Sequence, residues 1–434
     1  MSQGKKIIYT IFIFFFFISL YPILAQEAHI VPLKKSAVPI HLWVQFEENP
    51  SREAVISWST TVPSKNNTLF YDTKKRNGKT KNYSFKSTEI HSGPYSLTEE
   101  EKPMESWYHH AYLNNLEPNT RYYLTVESDG EKLGEYYFIT APADNTPVAM
   151  LIGGDSRLGD DRMDEENARR GMNARMSELL QENPEIIALA HSGDYTNSGH
   201  WSELYYWLND HFEKTTTPDG RLLPILPTRG NHDMLEGFEE LFWWPNRKNN
   251  FYYTANLNAN TVLVILNTEI SINGDQRVWL ENELKTLRKK KGWLTTLYHK
   301  AAFPSVRAYE DGEPRRRAWV PLFEKYKIDL STSGHDHSLK RTVPILNLKP
   351  SANGIVYIGD GGLGVRPREV DDTRWYFNPQ GLAQSINNVH FIKYTSTHIN
   401  INALGMDGSL LDTFNIPKNR NARKKLYRNE LSNN

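Results

Sequence analysis

No cysteine occurs among the 434 residues. Neither a disulfide framework nor a lipid-modified N-terminal cysteine can therefore form, and stability has to come from packing or from bound metal. A net field is missing as well. The 51 Lys and Arg offset the 51 Asp and Glu, so no bulk charge recruits nucleic acid or an anionic membrane surface, and any anion selectivity must be local. Internal repeats are absent. Long apolar runs are absent too, with one exception at the start of the chain.

That exception is Ile7 to Leu20, rich in Phe and Ile, behind Lys5 and Lys6 and ahead of a small residue, Ala25. The run is shorter than the roughly 20 apolar residues of a membrane span, and Pro22 interrupts its end. Residues 1–25 therefore read as a cleaved export signal that leaves no stable membrane span behind it. The destination is periplasmic or extracellular, with an uncleaved anchor as the alternative.

Two textures follow. Residues 37–142 are all-β in pattern. Short runs rich in aromatic and β-branched residues, His41 to Phe46, Ala54 to Ser59, Trp107 to Leu113, Arg121 to Glu127 and Glu135 to Thr140, are separated by turn-rich stretches. Their length and spacing predict a β-sandwich of roughly 100 residues. After a linker, residues 147–416 alternate apolar runs with amphipathic stretches, as expected of an α/β domain around buried strands. The runs are Val148 to Ile152, Ile186 to Ala190, Thr261 to Leu266, Leu294 to Tyr298 and Ile355 to Ile358. Helices are expected over Glu166 to Leu180, Trp201 to Phe212, Gln276 to Lys290 and Arg315 to Tyr326. Residues 417–434 form a basic tail, expected to be a solvated or frayed end.

The polar residues of interest stand where apolar runs stop, which in an open α/β sheet is the edge where ligands bind. One run leads to Asp155, the next to Asp194, and Pro224 to Gly230 leads to Asn231, His232 and Asp233. Thr295 to Tyr298 leads to His299, and Ile328 to Gly334 leads to His335, Asp336 and His337. Singly, each is weak: a Gly-Asp after a strand is often only a turn, and a lone His is usually a satisfied imidazole. His335 and His337 stand at alternate positions and need a bend to converge. Together they form a set of oxygen and imidazole donors without sulfur. Such a set suits Zn, Mn or Fe, and it exceeds what one tetrahedral ion needs. Two ions sharing a carboxylate is the natural count, and such a pair serves phosphoester hydrolysis.

The series Gly-Asp, Gly-Asp, Gly-Asn-His-Asp, His and Gly-His-x-His resembles that of the calcineurin-like metallophosphoesterases. Within them the chain is most similar to the purple acid phosphatase branch. Residues 37–142 resemble its fibronectin type III-like N-terminal domain, notably Leu116 to Tyr123 before a strand. Trp201 to Phe212, the segment from Gly312 to His337, and the Gly-rich Tyr357 to Gly362 carry the likeness further. The resemblance implies that Asp194 bridges two metal ions, that Asp155 and His337 hold the first, and that Asn231, His299 and His335 hold the second. A bridging water would attack phosphorus. His232 would stabilise the phosphoryl group or protonate the leaving oxygen, with Asp233 orienting its ring. The substrate implied is a small phosphoester, most simply a monoester. A phosphodiesterase or a catalytically silent phosphate-binding module are the rivals, and no nucleic acid is required.

Two positions depart from the family pattern. The purple branch places a metal-binding Tyr three residues after the bridging Asp; here that residue is Asn197, and Tyr195 follows the Asp directly. Other calcineurin-like enzymes use a His two residues after the first Asp; here it is Arg157, which cannot ligate metal but makes a good phosphate fork. His200, ahead of the aromatic helix, is a candidate to face the pocket. His191 reads as a core or supporting histidine, and His109 and His110 as surface or packing residues of the β domain. Arg315 to Arg317 reads as a solvated helix face, and the aromatic clusters Tyr205 to Trp207 and Phe242 to Trp244 as core.

Overall fold

The computed structural model describes residues 30–158, 162–233, 236–245, 250–359 and 361–432. The export signal expected over residues 1–25, and Asp360 within the Gly-rich stretch, lie outside them. No described helix is long and apolar enough to cross a membrane.

The β-sandwich forms as the length and spacing of its runs predict. Strands Ile40–Gln45, Ala54–Thr60, Trp107–Leu113 and Ile90–Pro94 make one face, and strands around Asn67–Asp72, Arg121–Ser128 and Tyr136–Ile139 make the other. Trp58, Leu69, Leu124, Val126 and Phe138 are buried in its core. At the Leu116 to Tyr123 corner, the Glu117 N–H donates to the Tyr122 hydroxyl at 2.8 Å, which ties the turn to the strand it precedes.

Behind the sandwich, two sheets pack face to face with helices outside them. In one, Val148–Gly153, Ile186–His191 and Ile225–Pro227 run parallel, with Asn388–Tyr394, His398–Gly405 and Leu410–Pro417 added antiparallel. In the other, Thr261–Ile265, Trp293–Lys300, Leu330–Gly334 and Val356–Gly359 run parallel. The near-continuous apolar runs follow from burial on both faces. Met150 and Ile152 point into the core between the sheets, while Ala149 and Leu151 meet Met172, Met176 and Leu180 of helix Arg162–Glu182. Likewise Leu263 and Ile265 face the other sheet, and Val262 and Val264 face Leu280 and Leu284 of helix Asp275–Lys290.

Three features differ from what the pattern predicts. The helix expected over Arg315 to Tyr326 is two, Glu313–Ala318 and Val320–Tyr326, with Pro321 in the first turn of the second, where its missing N–H is tolerated. The basic tail is not frayed. It forms helix Arg420–Ser432, anchored by the fully buried Tyr427 stacked on Phe414 and by Arg423 donating to Asp329 at 2.9 Å. Finally, the sandwich and the α/β part are not joined by a linker alone. Strand Ile40–Gln45 pairs parallel with Ile225–Pro227, and the Phe46 N–H donates to the Ile225 carbonyl at 2.8 Å. One ten-stranded sheet thus runs through both. The aromatic helix Trp201–Thr215 seals the junction: Trp201 stacks on Tyr95 at 3.6 Å and donates to the Met104 carbonyl.

Candidate metal centre

The two facing sheets bring their carboxyl edges to one place. Asp155, Asp194 and Asn231 arrive from the ten-stranded sheet, and His299, His335 and His337 from the seven-stranded one. Asp155, Asp194, His335 and His337 all leave their strands in the left-handed region, with φ of 54°, 59°, 79° and 55°. That conformation costs an L-residue roughly 1–2 kcal/mol and is held only because the surroundings enforce it. It also supplies the bend that lets His335 and His337 converge. Asp336 between them turns away, to Lys340 and the Ser305 N–H.

The donor atoms of Asp194, His299 and His335 lie within 4.8 Å of one another, and so do those of Asp155, Asp194 and His337. Asp194 is common to both triplets. Every one of these side chains is buried. The close approach depends on small residues: a Cβ on Gly230 would collide with the Asp194 carboxylate, and Gly193, at φ 100°, packs against Gly230 and His299.

Whether these residues fit cations is answered by the polar atoms they leave unmatched. Asp194 Oδ2 is buried and accepts no hydrogen bond, and Asp155 Oδ1, 3.2 Å from His337 Nε2, forms no well-aligned one. His299 Nδ1 is 2.8 Å from the Ser192 carbonyl, which can only accept, so Nδ1 carries the hydrogen. In the neutral ring the Nε2 lone pair must then face Asn231 Oδ1 at 3.1 Å, His335 Nδ1 at 3.1 Å and Asp194 Oδ1 at 3.3 Å. A neutral His335 can satisfy the Nε2 lone pair through Nδ1–H, but the Asn231 and Asp194 oxygens still crowd that lone pair, so a positive charge is favoured in this buried spot. Without metal a proton serves. Burial alone would lower the His299 pKa, but the Asp194 carboxylate overrides it and holds the ring at about 10. His335, buried against that charged ring, is pushed far below the ordinary imidazole value. The donor set fits two cations.

Around it stand the other candidates. His232 Nδ1 lies 2.7 Å from the Asn197 carbonyl, which leaves Nε2 as the nitrogen free to exchange protons. Burial lowers its pKa and Asp194 raises it, with the first prevailing. Arg157 donates to Asn197 Oδ1 at 2.7 Å, and its Nε, without a hydrogen-bond partner, sits 3.9 Å from Asp194 Oδ2. Asn197 thus braces Arg157 with its side chain and His232 with its backbone. Its side chain is exposed. His200 is exposed at the start of helix Trp201–Thr215 and joins neither triplet.

Asp233 does not orient the His232 ring. Its carboxylate accepts the backbone N–H groups of Asp194 at 2.7 Å, Tyr195 at 2.8 Å and Gly230 at 2.7 Å, so it latches two strand-end loops together. Burial, then the nearby Asp194 charge, push its pKa up to about 7. His191 is structural, as its strand position suggests. Nδ1 accepts the Gly193 N–H, Nε2 meets Ser156 Oγ at 2.8 Å, and the ring stacks on Tyr195 at 3.8 Å. Tyr195 itself points into the core with Trp207 and Phe242. His109 and His110 are buried packing residues, and Trp243 stacks on His91 of the sandwich at 4.8 Å. Sequence reasoning missed Arg307 and Arg368, which both reach the His335 carbonyl, at 2.8 and 3.5 Å. It also missed Gly361, on which a Cβ would crowd Asp155 and His337. Neither arginine lies in a recognisable motif, and only the Gly-rich stretch hinted at Gly361.

This arrangement places the chain among known proteins. Residues 166–339 match the family described as calcineurin-like phosphoesterase, so the α/β part is a metallophosphoesterase domain. Residues 39–141 match the purple acid phosphatase N-terminal domain, and several similar proteins are named purple acid phosphatases. Purple acid phosphatase 21 of Arabidopsis thaliana is 26% identical over 273 residues, 58% of each chain. An uncharacterized protein of Mycobacterium tuberculosis is 24% identical over 338 residues, 70% of this chain and 62% of that one. The matched segments thus span 58% and 62% of these relatives' own lengths. Among solved structures, the purple acid phosphatase PPD1 of yellow lupin superposes with a TM-score of 0.72 at 16% identity, over 88% of this chain and 74% of that one. PhoD superposes with 0.62 at 11% identity, over 92% and 99%. At such identities these two likenesses speak to fold alone.

Proposed function

We propose that this chain is an exported, dinuclear-metal phosphoester hydrolase acting on small phosphomonoesters. The observation that carries the reading is the sharing of Asp194 between two buried donor triplets. On this reading Asp194 would be shared by two ions, Asp155 and His337 would hold the first, and Asn231, His299 and His335 the second. Bound there, two cations supply Lewis acidity toward a phosphoryl group and lower the pKa of water. The chain's own groups do the rest. The buried carboxylates hold the charge of the site away from bulk water, where it acts strongly. His232, its Nδ1 hydrogen fixed on the Asn197 carbonyl, can give a proton from Nε2 to the leaving oxygen only as the imidazolium, the step leaving the ring neutral. Arg157, braced by Asn197, presents a permanently charged fork to a phosphoryl oxygen.

Export is supported by Lys5, Lys6 and the apolar run behind them. Asn197 offers no phenolate where the purple branch has its tyrosine, so the iron-loaded protein should lack a strong visible band. The test is reconstitution with Zn, Mn and Fe separately, metal counting, and a panel of aryl mono- and diesters. Two equivalents of metal with monoester turnover is expected. Faster diester hydrolysis would move the assignment to a phosphodiesterase, and metal binding without turnover of either would make it a phosphate-binding module.

A further inference from the structure

Beside the donor cluster lies a cavity of about 320 Å³ whose lining includes His335, Asp336, Lys300, Arg307, Asp311 and Arg315. His335 belongs both to this lining and to a donor triplet. A ligand held at the cluster therefore has this cavity as an adjoining space, of a size suited to a small polar group.

The cavity's charges are unevenly matched. Asp336 Oδ2 is taken up by Lys340 at 3.1 Å and by the Ser305 N–H and hydroxyl, while its Oδ1 accepts no hydrogen bond. Lys300 is paired with Glu269 at 2.7 Å. Arg315 donates to the carbonyls of Ala301 and Asp311 rather than to a carboxylate. Arg307 donates to the His335 carbonyl and lies 3.7 Å from Asp336 Oδ1, a buried oxygen without a hydrogen bond, too far to form one itself. Arg368, outside the cavity lining, reaches the same carbonyl from a separate loop at 3.5 Å, and no carboxylate among the described residues forms an ion pair with it. Two guanidiniums drawn to one neutral oxygen repel each other and gain little there. An anion placed between them would meet donors from both in fork geometry.

We propose that Arg307 and Arg368, with Arg315 behind them, form a second anion subsite, and that the preferred substrates carry a second phosphoryl group besides the one cleaved. This substrate class rests on the hydrolase reading given above, but the subsite can be tested without turnover.

Calorimetry on the metal-loaded protein would compare propane-1,3-bisphosphonate with propylphosphonate, neither of which can be hydrolysed. The bisphosphonate should bind at least about tenfold tighter, since each charge-assisted bond contributes on that scale. In Arg307→Gln and Arg368→Gln the preference should collapse to about the twofold expected from its two equivalent ends. Equal affinities in the wild type overturn the proposal. So does a preference that survives both substitutions, because the arginines would then only brace His335 and affect both ligands alike. If the variants fail to fold, the wild-type preference must still shrink between about 50 and 500 mM salt, as screening demands; a salt-independent preference also overturns the subsite. Kinetics on the matching propanediol mono- and bisphosphates are read separately. Failure to hydrolyse either, with the bisphosphonate preference intact, removes the hydrolase reading and leaves the subsite standing.

Discussion

The two sheet edges that meet at the site are chemically unlike. The ten-stranded edge brings oxygen: the carboxylates of Asp155 and Asp194 and the amide of Asn231. The seven-stranded edge brings nitrogen: His299, His335 and His337. Each triplet draws from both edges, so neither sheet alone assembles a cation site. The edges are also fastened differently. The oxygen edge is stitched by backbone, with the Asp155 N–H on the Gly193 carbonyl, the Ser156 N–H on the Asp194 carbonyl, and the Asp233 latch. The imidazoles are fixed less directly, His299 through the Ser192 carbonyl of the opposite sheet and His335 through its N–H on Asp155 Oδ2. The oxygen edge is a frame, and the nitrogen edge is fitted to it.

If so, losing the shared oxygen should do more than losing any imidazole. Asp194→Ala should abolish both metal sites and reduce turnover to background, whereas His337→Ala should lose one equivalent of metal and keep the other. Metal analysis after dialysis distinguishes them, and an Asp194→Ala protein holding two equivalents would contradict the bridging role. Next in size comes His232→Ala, which should keep its metal and lose about 10²–10⁴ in kcat, less with good leaving groups that need little protonation. Stoichiometric loss of metal would instead make His232 a ligand. Arg157→Ala should raise KM and the Ki for inorganic phosphate together, by about tenfold, with metal content unchanged. Arg157→His, which restores a ligand used more widely in the superfamily, should tighten the first site. Unaltered phosphate inhibition in Arg157→Ala would remove the guanidinium from the substrate. The smallest effect on chemistry is expected of Asp233→Ala. It strips acceptors from three buried N–H groups and should lower stability by about 1–3 kcal/mol, read as a fall in Tm. Its dependence on leaving group should stay that of the wild type; a change there would return Asp233 to the His232 ring.

Much of this was legible in the chain because buried parallel strands write themselves as apolar runs, and the residues after them are delivered to one edge. The donors could be found that way, and so could the convergence problem of His335 and His337, which the left-handed backbone solves. What adjacency suggested for Asp233 failed for a physical reason. A carboxylate next to a tight turn finds backbone N–H groups nearer than the neighbouring ring. The tail misled because Tyr427 and Leu426 are two apolar residues among many cations, too few to show a periodic face, although they suffice to dock the helix. Arg307 and Arg368 were invisible because they meet at His335 only through tertiary structure.

The pairing of Ile40–Gln45 with Ile225–Pro227 has a consequence for how this chain can be taken apart. Cutting it between residues 142 and 147 would not free an independent α/β module. It would strip the neighbour from a short three-residue strand and leave that strand's N–H and C=O groups as an open border for other chains to pair with. The same strand leads directly into Asn231 and His232, so fraying there would reach the candidate metal ligands first. The front domain is in this sense a permanent selvage on the sheet that carries Asp155, Asp194 and Asn231: shuffling or truncation would inherit both parts or neither.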